Sequence, residues 1–203
     1  MKIFCIGRNY AEHAKELRND LPTEPLVFMK PPTALLRENK PFYLPDFTKD
    51  CHYEGEIILR VAKNGRKIEP RFASKYIDAI GFGIDWTARD VQDKLKSKGH
   101  PWEIAKGFDS SAVVSEEFLP ASDFDLKNLH FQLKKNGEVV QNGCTADLIF
   151  PFEELICYLS QFFTLLKGDY IFTGTPAGVG PAKVGDVFEG FIEGRHMVTC
   201  AVK

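Results

Sequence analysis

The sequence contains no Cys-x-x-Cys pair, no low-complexity tract, no internal repeat and no apolar run approaching the length of a membrane span. Each absence removes a class of protein. The five cysteines (Cys5, Cys51, Cys144, Cys157 and Cys200) are odd in number and scattered, so they frame neither a disulfide scaffold nor a structural zinc site and read as thiols in a reducing compartment. "MKIFCIGRNY" reads as a strand running into glycine, not as the charged head, apolar core and cleavage site of a leader, so a cytoplasmic location without membrane association is expected. A dominant charge of one sign is also missing. The 26 Lys and Arg stand against 28 Asp and Glu with no basic stripe, which excludes a nucleic-acid footprint and leaves any anionic partner to be held by local cations. No linker rich in Gly, Ser or Pro divides the 203 residues, and a 44% hydrophobic content suffices for one sizeable core, so a single domain over residues 1–203 is expected.

Chemistry gathers between Glu54 and Lys106. In "CHYEGEIILRVAKNG", Glu54 and Glu56 alternate with Tyr53, Gly55 and Ile57, and a strand of period two points both carboxylates to one face. "AIGFGIDW" is an apolar, glycine-containing run broken only at its end by Asp85, as in a buried strand running out to a sheet edge. Like charges a few ångströms apart repel unless a cation sits between them. Three carboxylates make a hard oxygen site suited to Mg²⁺ or Mn²⁺ and less to Zn²⁺, which draws on His or Cys. Glu-x-Glu on its own is common on strands, and most such pairs are simply the solvated face of an antiparallel sheet.

Other segments carry readings that spacing leaves open. "GRNYAEHAKELRND" has helical periodicity with Ala11, Ala14, Leu17 and Tyr10 on one side, and the i, i+3 spacing makes Glu16 a neighbour that can orient His13 and stabilise its protonated form. A surface His with a chance acidic partner fits that spacing too. Val27, Phe28 and Met29 suggest a strand ended by Pro31 and Pro32; Lys30 faces either a substrate acid or the solvated rim, and Thr33 either bonds substrate or caps a turn. "ENKPFYLPDF" reads as a surface loop or edge strand, Asn64-Gly65 as a hairpin signal, and "RFASKYIDA" as helical. "KLKSKGHP" reads as a solvent-exposed charged segment before Lys106. Two alternating runs flank Asn136-Gly137, a second hairpin signal. "PFEELICYLSQFFTLLKGD" predicts a helix burying Leu155, Ile156, Leu159, Phe162 and Phe163 and ending near Gly168. It leads into the strand and glycine-rich loop "YIFTGTPAGVGP". There Thr175 offers a hydroxyl and an amide to an anionic or carbonyl oxygen, or else the loop is a tight turn; no Lys-Ser or Lys-Thr follows the glycines, so it is not a Walker loop.

Taken together, Tyr53-Glu54-Gly55-Glu56, Asp85-Trp86-Thr87-Ala88-Arg89-Asp90-Val91-Gln92, Ala105-Lys106-Gly107-Phe108-Asp109 and "FFTLLKGDYIFTGTPAGVGP" resemble, in content and order, the signature of the fumarylacetoacetate hydrolase family. Gly7, Arg8, Asn9, Tyr10, His13 and Glu16 match the lid-helix segment of its shorter members, such as acylpyruvate and fumarylpyruvate hydrolases. The resemblance implies a β-rich α+β fold, a roll of mixed β-sheets with a few helices, usually as a homodimer. It implies Mg²⁺ on Glu54, Glu56 and Asp85, with Mn²⁺ as an alternative and Ca²⁺ able to substitute in a structure. It makes Arg89, Gln92 and Thr175 substrate contacts, Lys106 a catalytic cation beside the metal, and His13 with Glu16 a catalytic pair on a lid. There is no counterpart of the separate amino-terminal domain or of the fourth acidic ligand of the animal enzymes, which favours the acylpyruvate hydrolase branch. The activity expected first is hydrolysis of a C–C bond in a 3-acylpyruvate or related 2,4-dioxo acid, a small anionic 2-oxo acid. Oxaloacetate decarboxylation or tautomerisation, and the hydratase or isomerase reactions of aromatic catabolism, are the alternatives on the same site. A dicarboxylate-binding protein that has kept the fold is the non-enzymatic one.

Overall fold

The computed structural model describes residues 1–16 and 20–203. The chain opens with β1 (Ile3–Gly7), α1 (Ala11–Glu16), β2 (Leu26–Lys30) and the short β3 (Leu35–Leu36). Next come β4 (Cys51–Tyr53), β5 (Gly55–Val61), α2 (Pro70–Ala73), β6 (Ile77–Asp85), β7 (Thr87–Ala88), α3 (Arg89–Ser97) and α4 (Glu103–Lys106). The second half holds β8 (Ala112–Val114), β9 (Leu119–Pro120), β10 (His130–Lys135), β11 (Glu138–Cys144) and α5 (Phe152–Phe162). It finishes with β12 (Tyr170–Phe172), β13 (Gly180–Pro181), β14 (Val187–Ile192) and β15 (Arg195–Ala201).

These strands form a curled mixed β-sheet flanked by short helices, the β-rich α+β architecture expected. The main sheet runs β2-β1-β12-β5-β6-β8-β3, with β9 also on β6; a second runs β11-β10-β14-β15 and a third β13-β4-β7. At the centre, β5 and β6 pair antiparallel with Glu56 opposite Gly83 and Gly55 opposite Ile84. Both strands are buried along almost their whole length, which is why they read as near-continuous apolar runs. Aromatic side chains fasten the second sheet onto the first: Phe82 lies edge-on to Phe131 at 6.3 Å, and Trp86 packs on Phe188 at 5.3 Å while stacking on Phe42 at 4.3 Å.

Several local expectations need correction. Asn64-Gly65 makes no hairpin, because Gly65 instead exchanges both backbone hydrogen bonds with Leu165, and the chain passes through α2 and a 3₁₀ turn before returning as β6. By contrast, Asn136-Gly137 does turn the β10–β11 hairpin, with φ of 54° and 85°, the left-handed pair such a turn requires. α5 stops at Phe162, which is exposed rather than packed; Phe163 leaves the helix and folds onto Phe4, and Gly168 belongs to the turn before β12. The "ENKPFYLPDF" segment is exposed at Glu38 to Lys40, but Phe42 is buried and bridges the chain's last residues. Leu17 lies outside the described residues, while Tyr10 and Ala14 are buried as expected of that helix face. All five cysteines are free thiols. Among the described residues no helix is long and apolar enough to cross a membrane.

Candidate active site

The site lies where the chain changes sheets. β4 pairs with β7 in the small sheet while β5 pairs with β6 in the main one, and the strands break together, at Glu54 on one side and after Asp85 on the other. Glu54 therefore stands between two strands rather than within one, and the Asp85 N–H donates to its carbonyl at 2.8 Å. The break frees both side chains from the regular pleat. They meet Glu56 from β5, and the three residues can each present an oxygen within 4.8 Å of the others. All three are buried.

Bare carboxylates this close and this buried would repel strongly, so the surrounding charges decide what they are for. Arg89, the first residue of α3, donates to Glu54 Oε1 at 2.5 Å and to Gln92 Oε1 at 2.7 Å. Lys106, the last residue of α4, bridges Glu54 Oε2 at 2.7 Å and Asp85 Oδ2 at 3.0 Å. Burial alone would raise the Glu54 pKa, but Lys106, Arg89 and His13 outweigh it and hold the group well below the carboxylate range. Lys106 is raised in turn: burial opposes its charge, and Asp85 and Glu54 overcome that.

Glu56 is the exception. Its partner is the Gly174 N–H, which donates to Oε2 at 2.7 Å, and among the described residues no cationic side chain pairs with it. Burial first, then the charges of Asp85 and Glu54, push its pKa well above the usual range. A divalent cation held by the three carboxylates would relieve that imbalance, so the donor set fits a hard metal ion such as Mg²⁺, Mn²⁺ or Ca²⁺. Gly174 has φ of 105°, and a Cβ there would come within 2.7 Å of the Asn9 Cβ, so only glycine lets the loop deliver this N–H.

The His13–Glu16 pair expected on α1 is formed, and His13 lines the same cleft. His13 Nδ1 lies 3.2 Å from Glu16 Oε2, and the Gly178 N–H donates to both Glu16 oxygens, at 3.1 and 3.3 Å. Burial would raise Glu16, but the His13 and Gly178 hydrogen bonds win and lower it. The glycine-rich loop thus ties down both ends of the cleft: Gly174 holds Glu56, and Gly178 holds the helix.

Ile6, Gly7 and Phe28 line a cleft together with His13, Arg89, Gln92, Lys106, Thr175 and the three acids, so of the residues expected to form the site all but Glu16, which contacts His13, line one cavity. Thr175 lines the cleft with its hydroxyl already engaged. Its hydroxyl donates to the Gly55 carbonyl at 2.9 Å and accepts from Gln141 at 2.8 Å, so it braces the loop against the Glu54–Glu56 segment. Lys30 needs a correction, being neither a substrate contact nor a rim charge. It is 2% exposed and lies behind the site, with its Nζ 2.7 Å from Asp85 Oδ1 and bonded to Ser111 and the Lys106 carbonyl. The "KLKSKGHP" segment is exposed at Lys94 and Lys98, but Lys96 turns inward and lines the cleft with Trp102 and Arg8. A signal for Lys96 existed, since Arg89, Gln92 and Lys96 follow at i, i+3 and i+7 on one helical face. Asn9, whose amide ties Phe150 to Thr173, was matched only as part of the lid segment, and Gln141 had no signal in the sequence.

A family model described as Fumarylacetoacetate (FAA) hydrolase C-terminal matches residues 2–203. This chain belongs to the fumarylacetoacetate hydrolase family. Within the family it is 42% identical over 202 residues to the oxaloacetate tautomerase FAHD1, mitochondrial, of Homo sapiens, covering 99% of this chain and 91% of that protein. It is likewise 42% identical over 200 residues to the oxaloacetate tautomerase YcgM of Escherichia coli (strain K12), covering 98% and 91%. Its fold superposes with a TM-score of 0.94 on the fumarylpyruvate hydrolase from Pseudomonas aeruginosa in complex with Mn²⁺ and pyruvate, at 35% identity, over 100% of this chain and 89% of that one. The similarity to oxaloacetate tautomerases shifts the expectation away from the acylpyruvate hydrolase branch. Membership in the fumarylacetoacetate hydrolase family and the buried acidic cluster together mark an enzyme with a candidate metal centre.

Proposed function

We propose that this chain catalyses the keto–enol tautomerisation of oxaloacetate or of a closely related 2-oxo diacid. The observation that carries this reading is the presence, in one buried cleft, of an under-neutralised carboxylate triad beside a hydrogen-bonded His13–Glu16 pair, in a chain 42% identical to two oxaloacetate tautomerases. A divalent cation on Glu54, Glu56 and Asp85 would supply Lewis acidity toward a 2-oxo oxygen. Arg89 and Gln92, joined to each other, orient the substrate carboxylate. Lys106 places its ammonium where negative charge develops on the C2 oxygen, in a dry site where that charge is stabilised most strongly. His13 takes the proton from C3 of the keto form while Glu16 steadies the imidazolium. The C3–H bond breaks, a C2–C3 double bond forms, and the C2 oxygen gains a proton; no water, oxidant or second substrate is consumed. Thr175 acts through its hydrogen bond to Gly55, holding the two glutamates in place.

Hydrolysis of a 3-acylpyruvate is the second reading, supported by the 0.94 TM-score to the fumarylpyruvate hydrolase. It uses the same His13–Glu16 pair to activate water for attack on the distal carbonyl carbon. The test follows the enol absorbance of oxaloacetate and of acetylpyruvate with purified protein and Mg²⁺. Oxaloacetate enol interconversion well above the buffer-catalysed rate, with slower acetylpyruvate cleavage, is expected. Fast cleavage without an effect on the oxaloacetate equilibration rate would replace the first reading with the second, and inactivity on both with tight oxaloacetate binding would leave a dicarboxylate-binding protein.

A further inference from the structure

Two cations in the cleft have no work in the mechanism above. Arg8 follows β1 and Lys96 lies near the end of α3, and both side chains line the cavity that holds the acidic triad. Arg89, Lys106 and Lys30 each pair with a carboxylate of the floor, yet among the described residues neither Arg8 nor Lys96 pairs with any carboxylate. Arg8 Nε is buried without a hydrogen-bond partner. Its backbone is also unusual: φ of 58° is a left-handed conformation that side-chain-bearing residues seldom adopt and that tends to mark sites where position matters more than local ease.

Lys96 is half-buried and its Nζ sits 5.4 Å from the centre of the Trp102 ring. Burial first, and then the positive charges of Arg89 and Arg8 against the weaker pull of Asp93 and Glu54, bring its pKa down to about 8. The positive charges of Arg8 and Lys96 repel one another, and among the described residues no carboxylate forms an ion pair with either. The charge balance of the whole cleft points the same way. On the floor, Arg89, Lys106 and Lys30 face Glu54 and Asp85, and a divalent cation would sit on all three acids, so no floor carboxylate is left to answer Arg8 and Lys96.

We propose, building on the oxaloacetate reading, that Arg8 and Lys96 form the subsite for the substrate's second, distal carboxylate and so select 2-oxo diacids over 2-oxo monoacids. The 2-oxo acid end lies toward the triad, Phe28 and Trp102 flank the short carbon chain, and the distal carboxylate bridges the guanidinium and the ammonium. A guanidinium and an ammonium converging on one carboxylate give charge-assisted hydrogen bonds, stronger than neutral ones. Arg8 belongs to the same turn that leads into α1, so occupation of the subsite also braces the segment that carries His13.

The test compares oxaloacetate with pyruvate, which shares the 2-oxo acid end but has no distal carboxylate. The protein with saturating Mg²⁺ is titrated with each, following intrinsic tryptophan fluorescence, to which Trp102 in the cleft and Trp86 both contribute, and KM and kcat are measured for oxaloacetate. Lys96→Met is expected to weaken oxaloacetate about 10-fold, and with Arg8→Gln about 100-fold, from the usual value of hydrogen bonds to charged groups, with the loss falling on KM more than kcat and pyruvate binding unchanged. Lys96→Arg should restore most of the affinity. Equal losses for oxaloacetate and pyruvate, or no loss for either, would overturn the subsite even if wild-type protein tautomerises oxaloacetate. If wild-type protein prefers oxaloacetate to pyruvate through Arg8 and Lys96 but does not turn it over, the subsite stands and the proposed reaction falls. Should Arg8→Gln disturb folding because of its backbone, Lys96→Met, on a regular helix, still decides the question.

Discussion

On the floor of the cleft, Glu54 and Asp85 are met by Arg89, Lys106 and Lys30 at distances between 2.5 and 3.0 Å, whereas on its rim Arg8 and Lys96 have no described anionic partner. Both regions carry charge out of bulk water, but they do so in opposite states of completion. The floor is built from strand ends locked by backbone ladders, and its acids keep their positions because cations behind and beside them hold the geometry. The rim is built from a turn and the last part of a helix, and among the described residues neither of its cations forms an ion pair. A pre-organised floor suits the proposed resident ion, and an incomplete rim suits the proposed passing substrate.

Breaking the floor should give the largest effects. Glu54→Ala, Glu56→Ala and Asp85→Ala should each abolish turnover and weaken Mg²⁺ by more than about 100-fold, since a hard cation loses one of its anionic ligands. Calorimetric Mg²⁺ titration checks this directly, and wild-type affinity in the variants would remove the metal site. Glu56→Ala should also be the least harmful of the three to metal-free stability, because Glu56 alone has no cation waiting for it.

His13→Ala comes next, with a loss of about 10²–10⁴ in kcat and unchanged Mg²⁺ affinity, as for removal of an acid–base group. Glu16→Gln should lose less. A large fall in metal binding in either variant would mean that the pair belongs to the floor, erasing the distinction drawn above. Lys30→Met tests the support behind the floor. Removing the cation leaves Asp85 buried beside two other acids, at a cost of about 3–5 kcal/mol read by denaturant unfolding without metal. Added Mg²⁺ should recover part of that stability, because the ion supplies charge from the other side of the same carboxylate.

Gly178→Ala is a smaller perturbation that separates the loop from the acids. With φ of 101° and a Cβ placed 2.1 Å from the Val140 carbonyl oxygen, it should shift the loop, cost about 1–3 kcal/mol, and lower kcat by loosening Glu16 while leaving Mg²⁺ binding nearly intact. The smallest effect concerns pH on the rim. Lys96 is charged below its pKa of about 8 and neutral above it, so oxaloacetate KM should rise as pH passes from 7 to 9 in wild type. Lys96→Met should flatten that rise, and an unchanged profile would place Lys96 outside the substrate's reach.

Much of the site was legible in the sequence because its chemistry is carried by short local patterns. The nearby pair of glutamates, an acid ending an apolar strand, and the i, i+3 spacing of His13 and Glu16 are local patterns, and the cavity gathers Glu54, Glu56, Asp85 and His13, although it is the break at Glu54 rather than strand alternation that turns Glu54 toward the others. The Asn136-Gly137 hairpin was legible for the same reason, since two left-handed residues in sequence have few other uses. Asn64-Gly65 has the same composition and makes no hairpin, because a cross-chain partner, Leu165, took its hydrogen bonds. What only the tertiary structure decided is which charges are buried and against what. Lys30 precedes two prolines and looks like a surface charge, yet the curl of the sheet brings β2 behind Asp85. The Thr175 hydroxyl looks free for substrate until Gln141, distant in sequence, is seen to occupy it. Local sequence sets the period along which side chains alternate, but the cost of burying a charge is settled by neighbours from distant parts of the chain, and those neighbours exist only once the sheets have closed.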